Sequence, residues 1–437
     1  MSIELVSVLA LFISFVALLG YGVPVAYSIG ISTTLVLIIN ISFLPSVTTA
    51  SQRMTTGIDN FALLAIPFFI LAGELMNRGG VAKRLIDFAK SLIGSLPGGL
   101  AYVNIISAML FGAISGSAIA AASAIGSTLT DKMEKEGYPR EFSAAVNISS
   151  STTGLLIPPS NVLIIFALAS GGTASVAALF IAGYIPGILV GLAIMIMVFI
   201  YAKRKGLPRA DRVGFKQLFI DFKNAFLSLT LLFIVVGGIV AGIFTATEAA
   251  AIAVVYATLL GFLNKELHVS DFKGVLLKSA KITAIVMFLI ATSMAMSWLF
   301  SFEGIPQMLT GLLVDSVSNP IAVFLLVNLI LLVVGTFMDM TPAVLIFTPI
   351  FLPVAMTLGM HPVQFGMVIV LNLCIGVCTP PVGTLLFVGS GVARVPVSEV
   401  IRPLLPLLVA MTFVLLLITY FPALSLWLPG FFGLIDY

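Results

Sequence analysis

The sequence predicts an all-α polytopic membrane protein built from inverted structural repeats. Three observations carry that prediction: an apolar composition, the placement of the basic residues, and a repeated pattern of glycines and prolines. Of 437 residues, 60% are hydrophobic and 9% charged, with a mean hydropathy of +1.20, outside the range of water-soluble domains. Apolar runs at 3 to 20, 24 to 44, 61 to 77, 175 to 201, 225 to 245 and 397 to 419 meet or approach the roughly 20 residues with which a helix crosses about 30 Å of hydrocarbon. Their continuity excludes a transmembrane β-barrel, whose strands alternate polar and apolar residues. Met1 to Glu4 place no basic residue ahead of the first run, so that run reads as a membrane helix and not as a cleavable signal. Cys374 and Cys378, four apart in an apolar segment, and the two histidines His268 and His361 suggest neither a disulfide framework nor a histidine metal centre. A net charge of +3 implies no nucleic-acid partner.

The basic residues set the topology. Lys and Arg cluster at 78 to 90, 132 to 140, 203 to 223, 265 to 281 and 394 to 402, leaving only Arg53 apart. All five clusters fall on the cytoplasmic side, as the positive-inside rule asks, if the N-terminus is outside and two segments near 98 to 130 and 319 to 358 enter and return to the same face. Without those two re-entrant hairpins the parity fails.

The repeat is independent of charge. Gly80, Gly112, Gly137, Pro139, Gly154 and Pro158-Pro159 recur as Gly304, Gly335, Gly359, Pro362, Gly376 and Pro380-Pro381, at offsets of 222 to 224. This divides the chain into N-terminal scaffold helices (1 to 57), a first repeat (58 to 202), a basic loop with scaffold helices (203 to 280), a second repeat (281 to 425) and a tail (426 to 437). Each repeat reads as a membrane helix, an amphipathic stretch (81 to 94 and 305 to 317), a hairpin, a helix broken at Pro-Pro, and a final helix. The hairpins enter from opposite sides, so the repeats are inverted. Inverted repeats with discontinuous helices characterise secondary transporters, whose sites lie at the midplane where helix ends meet.

Backbone carbonyls freed at such breaks cannot stay bare in lipid and must line a cavity or hold an ion. In the first repeat Ser115 and Ser117 offer hydroxyls at the tip, and Gly154, Ile157 and Pro159 offer carbonyls from the break. In the second, Gly335, Thr336 and Met338 supply oxygens from the tip and Gly376, Thr379 and Pro381 from the break. Neutral oxygens of this kind suit sodium, although small residues also serve simply to let helices pack closely. Asp339 lies in a hairpin that reaches the membrane interior, where a charge is costly and by default functional. Glu74, Glu248 and Asp59 border membrane segments, where interfacial solvation accounts for them. The half-helices after the breaks begin at Ser160-Asn161 and Val382-Gly383-Thr384, and their unpaired N–H groups attract carboxylates. An anionic substrate between the tips fits this inventory better than a cation.

At this point the chain resembles the large membrane subunit of tripartite ATP-independent periplasmic (TRAP) transporters, along nearly its whole length. The likeness runs through DNFALLAIPFFILAGELMNRGG (59 to 80), FGAISGSAIAAASAIG (111 to 126), LLIPPSN (155 to 161), GTFMDMTPAVLIFTPIFLP (335 to 353) and CTPPVGTLLFVG (378 to 389). It implies a multi-pass protein of the bacterial inner membrane with a periplasmic N-terminus, and an elevator in which a transport domain of hairpins and broken helices slides against a scaffold. It implies sodium as the driving ion, one site beside each tip, and Asn161, Thr153, Asp339 and Thr384 around the substrate. Substrates of C4-dicarboxylate, sialic acid or sugar-acid type would arrive from a periplasmic binding protein. A small four-helix membrane subunit would brace the scaffold, as a separate partner because this chain begins directly with the large subunit. The competing classes are an ion or solute channel, since polar hairpins also make selectivity filters, and an intramembrane enzyme. Neither HExxH nor GxSG occurs to support the second.

Overall fold

The computed structural model describes residues 3–209, 214–316 and 319–436; Arg212, within the predicted basic cluster at 203 to 223, and Val317, the last residue of the second amphipathic stretch, lie outside them. The described residues form helices joined by turns. Three helices lead: α1 (Ile3–Gly20), α2 (Val25–Asn40) and α3 (Phe43–Ile58). The first repeat follows with α4 (Ala65–Arg78), α5 (Val81–Ile93), α6 (Gly99–Ser115), α7 (Ala118–Lys135), α8 (Arg140–Ser151), α9 (Asn161–Ala169) and α10 (Val176–Lys205). Two helices, α11 (Phe215–Val240) and α12 (Ala246–Leu263), connect it to the second repeat. That repeat comprises α13 (Phe272–Phe302), α14 (Ile305–Ser316), α15 (Pro320–Phe337), α16 (Met340–Thr357), α17 (Pro362–Gly376), α18 (Thr384–Ala393) and α19 (Val397–Tyr420). A short α20 (Ala423–Phe431) ends the chain.

Local chemistry explains the boundaries. Pro320 and Pro362 stand at the first helical positions of α15 and α17, where a missing N–H costs nothing. Ser117 and Ser175 cap α7 and α10 by accepting from Ala120 and Ala178 N–H. Thr245 and Glu248 close a capping box on α12, consistent with an interfacial role for Glu248. The α5 stripe Val81, Leu85, Ile86 and Ala89 is buried while Lys83 and Lys90 stay on the outer side.

Cross-chain contacts place every basic cluster on one face. Arg84 pairs with Glu266 at 3.0 Å, and Ser91 bonds Asp221. Tyr138 donates to the Pro208 carbonyl, and Arg140 to that of Ala393 at 2.5 Å. Lys205 and Arg402 share a cavity with Glu141. On the opposite face Asn40 donates to Glu303 at 2.6 Å and Arg53 lies 4.8 Å from the Trp298 ring centre. Both ends of the α6–α7 hairpin meet at the basic face, where Leu100 N–H donates to Tyr138 and Gly98 N–H to Pro208. Both ends of α15–α16 meet at the other, where Tyr420 donates to Ile321 and Gln364 to Ile418 and Thr419. The hairpins are therefore re-entrant and inverted. Among the described residues eight helices are long and apolar enough to cross a membrane by length and composition; α15 and α16 are two of them, yet they return to one face. Phe12, Phe233 and Val409, at 66%, 77% and 68% exposed, represent the apolar surface turned outward to lipid.

Boundaries at 202/203, 280/281 and 425/426 fall inside α10, α13 and α20. Hydropathy locates the membrane edge, whereas a helix carrying Lys273 and Lys278 continues beyond it. Cysteine at Arg140 or Lys205 is expected to be labelled by impermeant maleimide only from inside, and at Arg53 or Glu303 only from outside, in a chain lacking Cys374 and Cys378. Labelling of all four from one side would refute the inverted arrangement.

Candidate functional site

Each broken helix is interrupted because proline lacks an N–H and its ring displaces the preceding turn. After α8 the chain makes a 3-10 turn at Thr153–Leu155, passes the cis Pro158–Pro159 bond and restarts at Asn161. After α17 it passes the cis Pro380–Pro381 bond and restarts at Thr384. Each hairpin tip is seated on a break by glycine alone. A Cβ on Gly112 would lie 2.8 Å from the Gly154 Cα; one on Gly376 would lie 2.6 Å from the Gly335 Cα. Small-on-small contacts of this sort let backbones approach closely.

Both tips and the start of α9 converge on a cavity of about 220 Å³, lined by Ser115, Gly116, Ser117, Asn161, Asp339 and Thr341. A smaller adjoining space of about 120 Å³ shares Ser117, Asp339 and Thr341 and reaches Val377 and Thr384. Gly116 adopts φ +62°, where L side chains are disfavoured, and a Cβ there would lie 3.0 Å from Asn161 Nδ2. Asp339 keeps open surface toward these cavities while protein surrounds it. Its carboxylate faces Met340 N–H and the Thr384 hydroxyl without closing a cap hydrogen bond.

Several oxygens here lack partners. Ser160 Oγ and Asn161 Oδ1 are buried without a hydrogen bond, a state that normally costs about 1–3 kcal/mol. Among the described residues the carbonyls of Gly154, Ile157, Pro159, Met338 and Pro381 accept no backbone N–H across turns or loops. The Gly376 carbonyl does accept one, from Thr379 at 2.8 Å. The Thr336 and Thr379 hydroxyls donate to Val333 and Ile375, each at 2.7 Å, leaving their lone pairs free. Neutral oxygens are of the type that suits a hard monovalent cation, and of the residues expected to hold one, Ser115 and Ser117 line the cavities while Gly154, Ile157, Pro159, Gly335, Thr336, Met338, Gly376, Thr379 and Pro381 do not. Among the described residues no group of three or more His, Cys, Asp or Glu exists for another metal.

Of the four residues expected around a substrate, Asn161, Asp339 and Thr384 line the cavities. Thr153 does not: it is fully buried in the 3-10 turn and its hydroxyl donates to Ser150 at 2.5 Å. Ile157 leans away against Gly187 of α10, though its carbonyl is free. Glu74 corrects the interfacial reading. Its side chain is 14% exposed, lines the larger cavity and pairs with Lys278 at 2.8 Å. Thr341, the second residue of α16, is likewise a cavity residue. Only Gly73, whose Cβ would lie 2.8 Å from the Ser115 carbonyl, hints in sequence that α4 presses on the tip.

The model of the tripartite ATP-independent periplasmic transporter, DctM component, matches residues 12–424. The C4-dicarboxylate TRAP transporter large permease protein DctM of Pseudomonas aeruginosa is 41% identical over 409 residues, covering 93% of this chain and 95% of that one. The sialic acid TRAP transporter large permease protein SiaM of Vibrio cholerae is 40% identical over 419 residues, covering 95% and 96%. The crystal structure of the Alcanivorax borkumensis YdaH transporter has a TM-score of 0.62 over 90% of both chains; at 15% identity it attests the fold alone.

Proposed function

The chain belongs to the DctM component family of tripartite ATP-independent periplasmic transporters, and on that premise we propose that it carries small organic anions into the cell together with sodium, driven by the inward sodium gradient. One observation carries the reading: both hairpin tips, both half-helix starts and one aspartate line two adjoining cavities that share Ser117, Asp339 and Thr341. A substrate carboxylate there meets the N–H end of α9, the Asn161 amide and the Thr384 hydroxyl, whereas at the start of α18 the Leu385 and Leu386 N–H groups already donate to the Val377 carbonyl at 3.1 and 3.4 Å. The carboxylate also meets the negative charge of Asp339. Two like charges in a poorly solvated space repel strongly, so the loaded state requires a compensating cation. Sodium at the oxygens of Ser115, Ser117, Gly154, Ile157 and Pro159, and of Gly335, Thr336, Met338, Thr379 and Pro381, would supply that charge when bound, Gly376 being set aside because its carbonyl already accepts from Thr379. Anion affinity thereby depends on sodium, which is the thermodynamic basis of coupling.

The positive-inside rule assigns the basic face to the cytoplasm of the inner membrane. The cavity extends toward Glu74, beside Lys278 and Arg78 at that face, which supports an inward-open state of an elevator. Relatives named for C4-dicarboxylates and sialic acid support a carboxylate cargo of that breadth, delivered by a periplasmic binding protein, with a small membrane subunit bracing the scaffold.

Ser115→Ala or Ser117→Ala is expected to raise the sodium concentration for half-maximal uptake about tenfold, the effect of about 1.4 kcal/mol of lost cation binding. The anion constant at saturating sodium should change little. Unchanged sodium dependence at unchanged rate would make these serines packing residues.

A further inference from the structure

We infer that a second cavity, on the basic face, seats the headgroup of a phospholipid with a primary amine, of the phosphatidylethanolamine type. The cavity, about 700 Å³, lies between α8, α10 and α19. Four charged side chains line it: Glu141 in the first turn of α8, Glu399 in the first turn of α19, Lys205 in the last turn of α10, and Arg402.

These four differ from their neighbours. Arg140, next to Glu141, is paired with Asp131 and Glu134, and Arg84 with Glu266. Among the described residues none of the cavity's two acids and two cations closes an ion pair or a side-chain hydrogen bond. Opposite charges sharing one space without meeting suit a ligand that carries both signs. A phosphate fits the Lys205 and Arg402 donors, and an ammonium fits the carboxylates.

The backbone adds a reason for a primary amine. Pro403 and Pro406 lie inside α19 and line the cavity. Having no N–H, they leave the carbonyls of Glu399 and Arg402 without their helical donors. The cavity's own acid and cation residues thus each carry a carbonyl in need of a proton. An –NH₃⁺ group can give three hydrogen bonds to such acceptors, whereas a trimethylammonium gives none.

The remaining wall selects an amphiphile. Met197 and Leu407 line the cavity, and Phe142 stacks on Tyr201 at 3.9 Å between ring centres. Beyond the lip, Leu405, Val409 and Phe413 of α19 and Ile196 of α10 are 52%, 68%, 61% and 59% exposed. Acyl chains can run along that surface while the headgroup stays in the cavity. A purely anionic lipid would meet Glu141 and Glu399 with no compensating charge, so basic-pocket recognition of cardiolipin type does not fit.

Native mass spectrometry of the purified full chain, offered phosphatidylethanolamine, phosphatidylcholine and phosphatidylglycerol with identical acyl chains, tests this. The primary-amine lipid should be retained about tenfold over either competitor, the value of one charge-assisted hydrogen-bond set. E141Q/E399Q should erase its advantage over phosphatidylcholine, while K205Q/R402Q should weaken both. Glycerophosphoethanolamine, which lacks acyl chains, should not displace the lipid at equal concentration. E134Q, outside the cavity, should behave as wild type, and thermal unfolding in detergent reads whether each variant is folded; E141Q and E399Q singly replace the double variant if it is not. Equal retention of the three lipids by wild type, or an amine preference that survives loss of the carboxylates, would overturn the inference.

Discussion

Valine at Gly154 is expected to cut uptake at least about a hundredfold, and valine at Gly376 to do the same in the other repeat. At both positions the added carbon meets main chain. A Cβ on Gly376 would lie 2.6 Å from the Gly335 Cα, and the Gly112 Cα and carbonyl carbon would crowd one on Gly154. Backbone has no rotamer with which to yield, so the tip must move off the break. Overpacking of this kind costs about 1–3 kcal/mol of stability, which a large bundle tolerates. Geometry suffers more, since a displacement of about 1 Å in a positioned site is worth about a hundredfold in rate. Both variants should therefore assemble and melt within a few degrees of wild type while uptake falls at least about a hundredfold. Gly391→Ala is the control, because nothing lies within 4 Å of its added carbon. Near-normal uptake by either valine variant would show that tip and break need not touch during transport.

The hairpins were legible because two independent signals agree on them. Basic clusters at 78 to 90, 203 to 223 and 265 to 281 share a face only if 98 to 130 turns back, and the contacts Arg84–Glu266 and Ser91–Asp221 bring those clusters together. The site was legible wherever backbone chemistry writes itself into residue type: proline where a helix must stop, glycine where two backbones meet, aspartate where a charge is tolerated only for use. Thr153 lies beside Gly154 in sequence, but the 3-10 turn rotates it away, and one-dimensional proximity cannot register that rotation. Glu74 and Thr341 reach the cavity through the packing of α4 and α16 against the tip. No local pattern marks a residue whose neighbours are set by tertiary contact. Helix ends were the least legible feature, since α10 and α13 extend as charged helices past the membrane edge that hydropathy detects.

The central claim is that an anion in this cavity moves only with sodium, and only when the rest of the system is present. In the proposed mechanism an ionised Asp339, which lines the cavities, would make an anion loaded without sodium electrostatically unfavourable. Docking of a binding protein would raise the local substrate concentration at the outer mouth. The most direct measurement is uptake into proteoliposomes by this chain alone and by this chain with its small membrane subunit and cognate binding protein, with sodium outside, on both sides, or absent. The panel should span dicarboxylates, sialic acid and sugar acids. Accumulation is expected only for the complete system under an inward sodium gradient, collapsing when sodium is equalised, with little or no uptake by the single chain. Accumulation by the complete system that is indifferent to the sodium gradient would contradict the central claim.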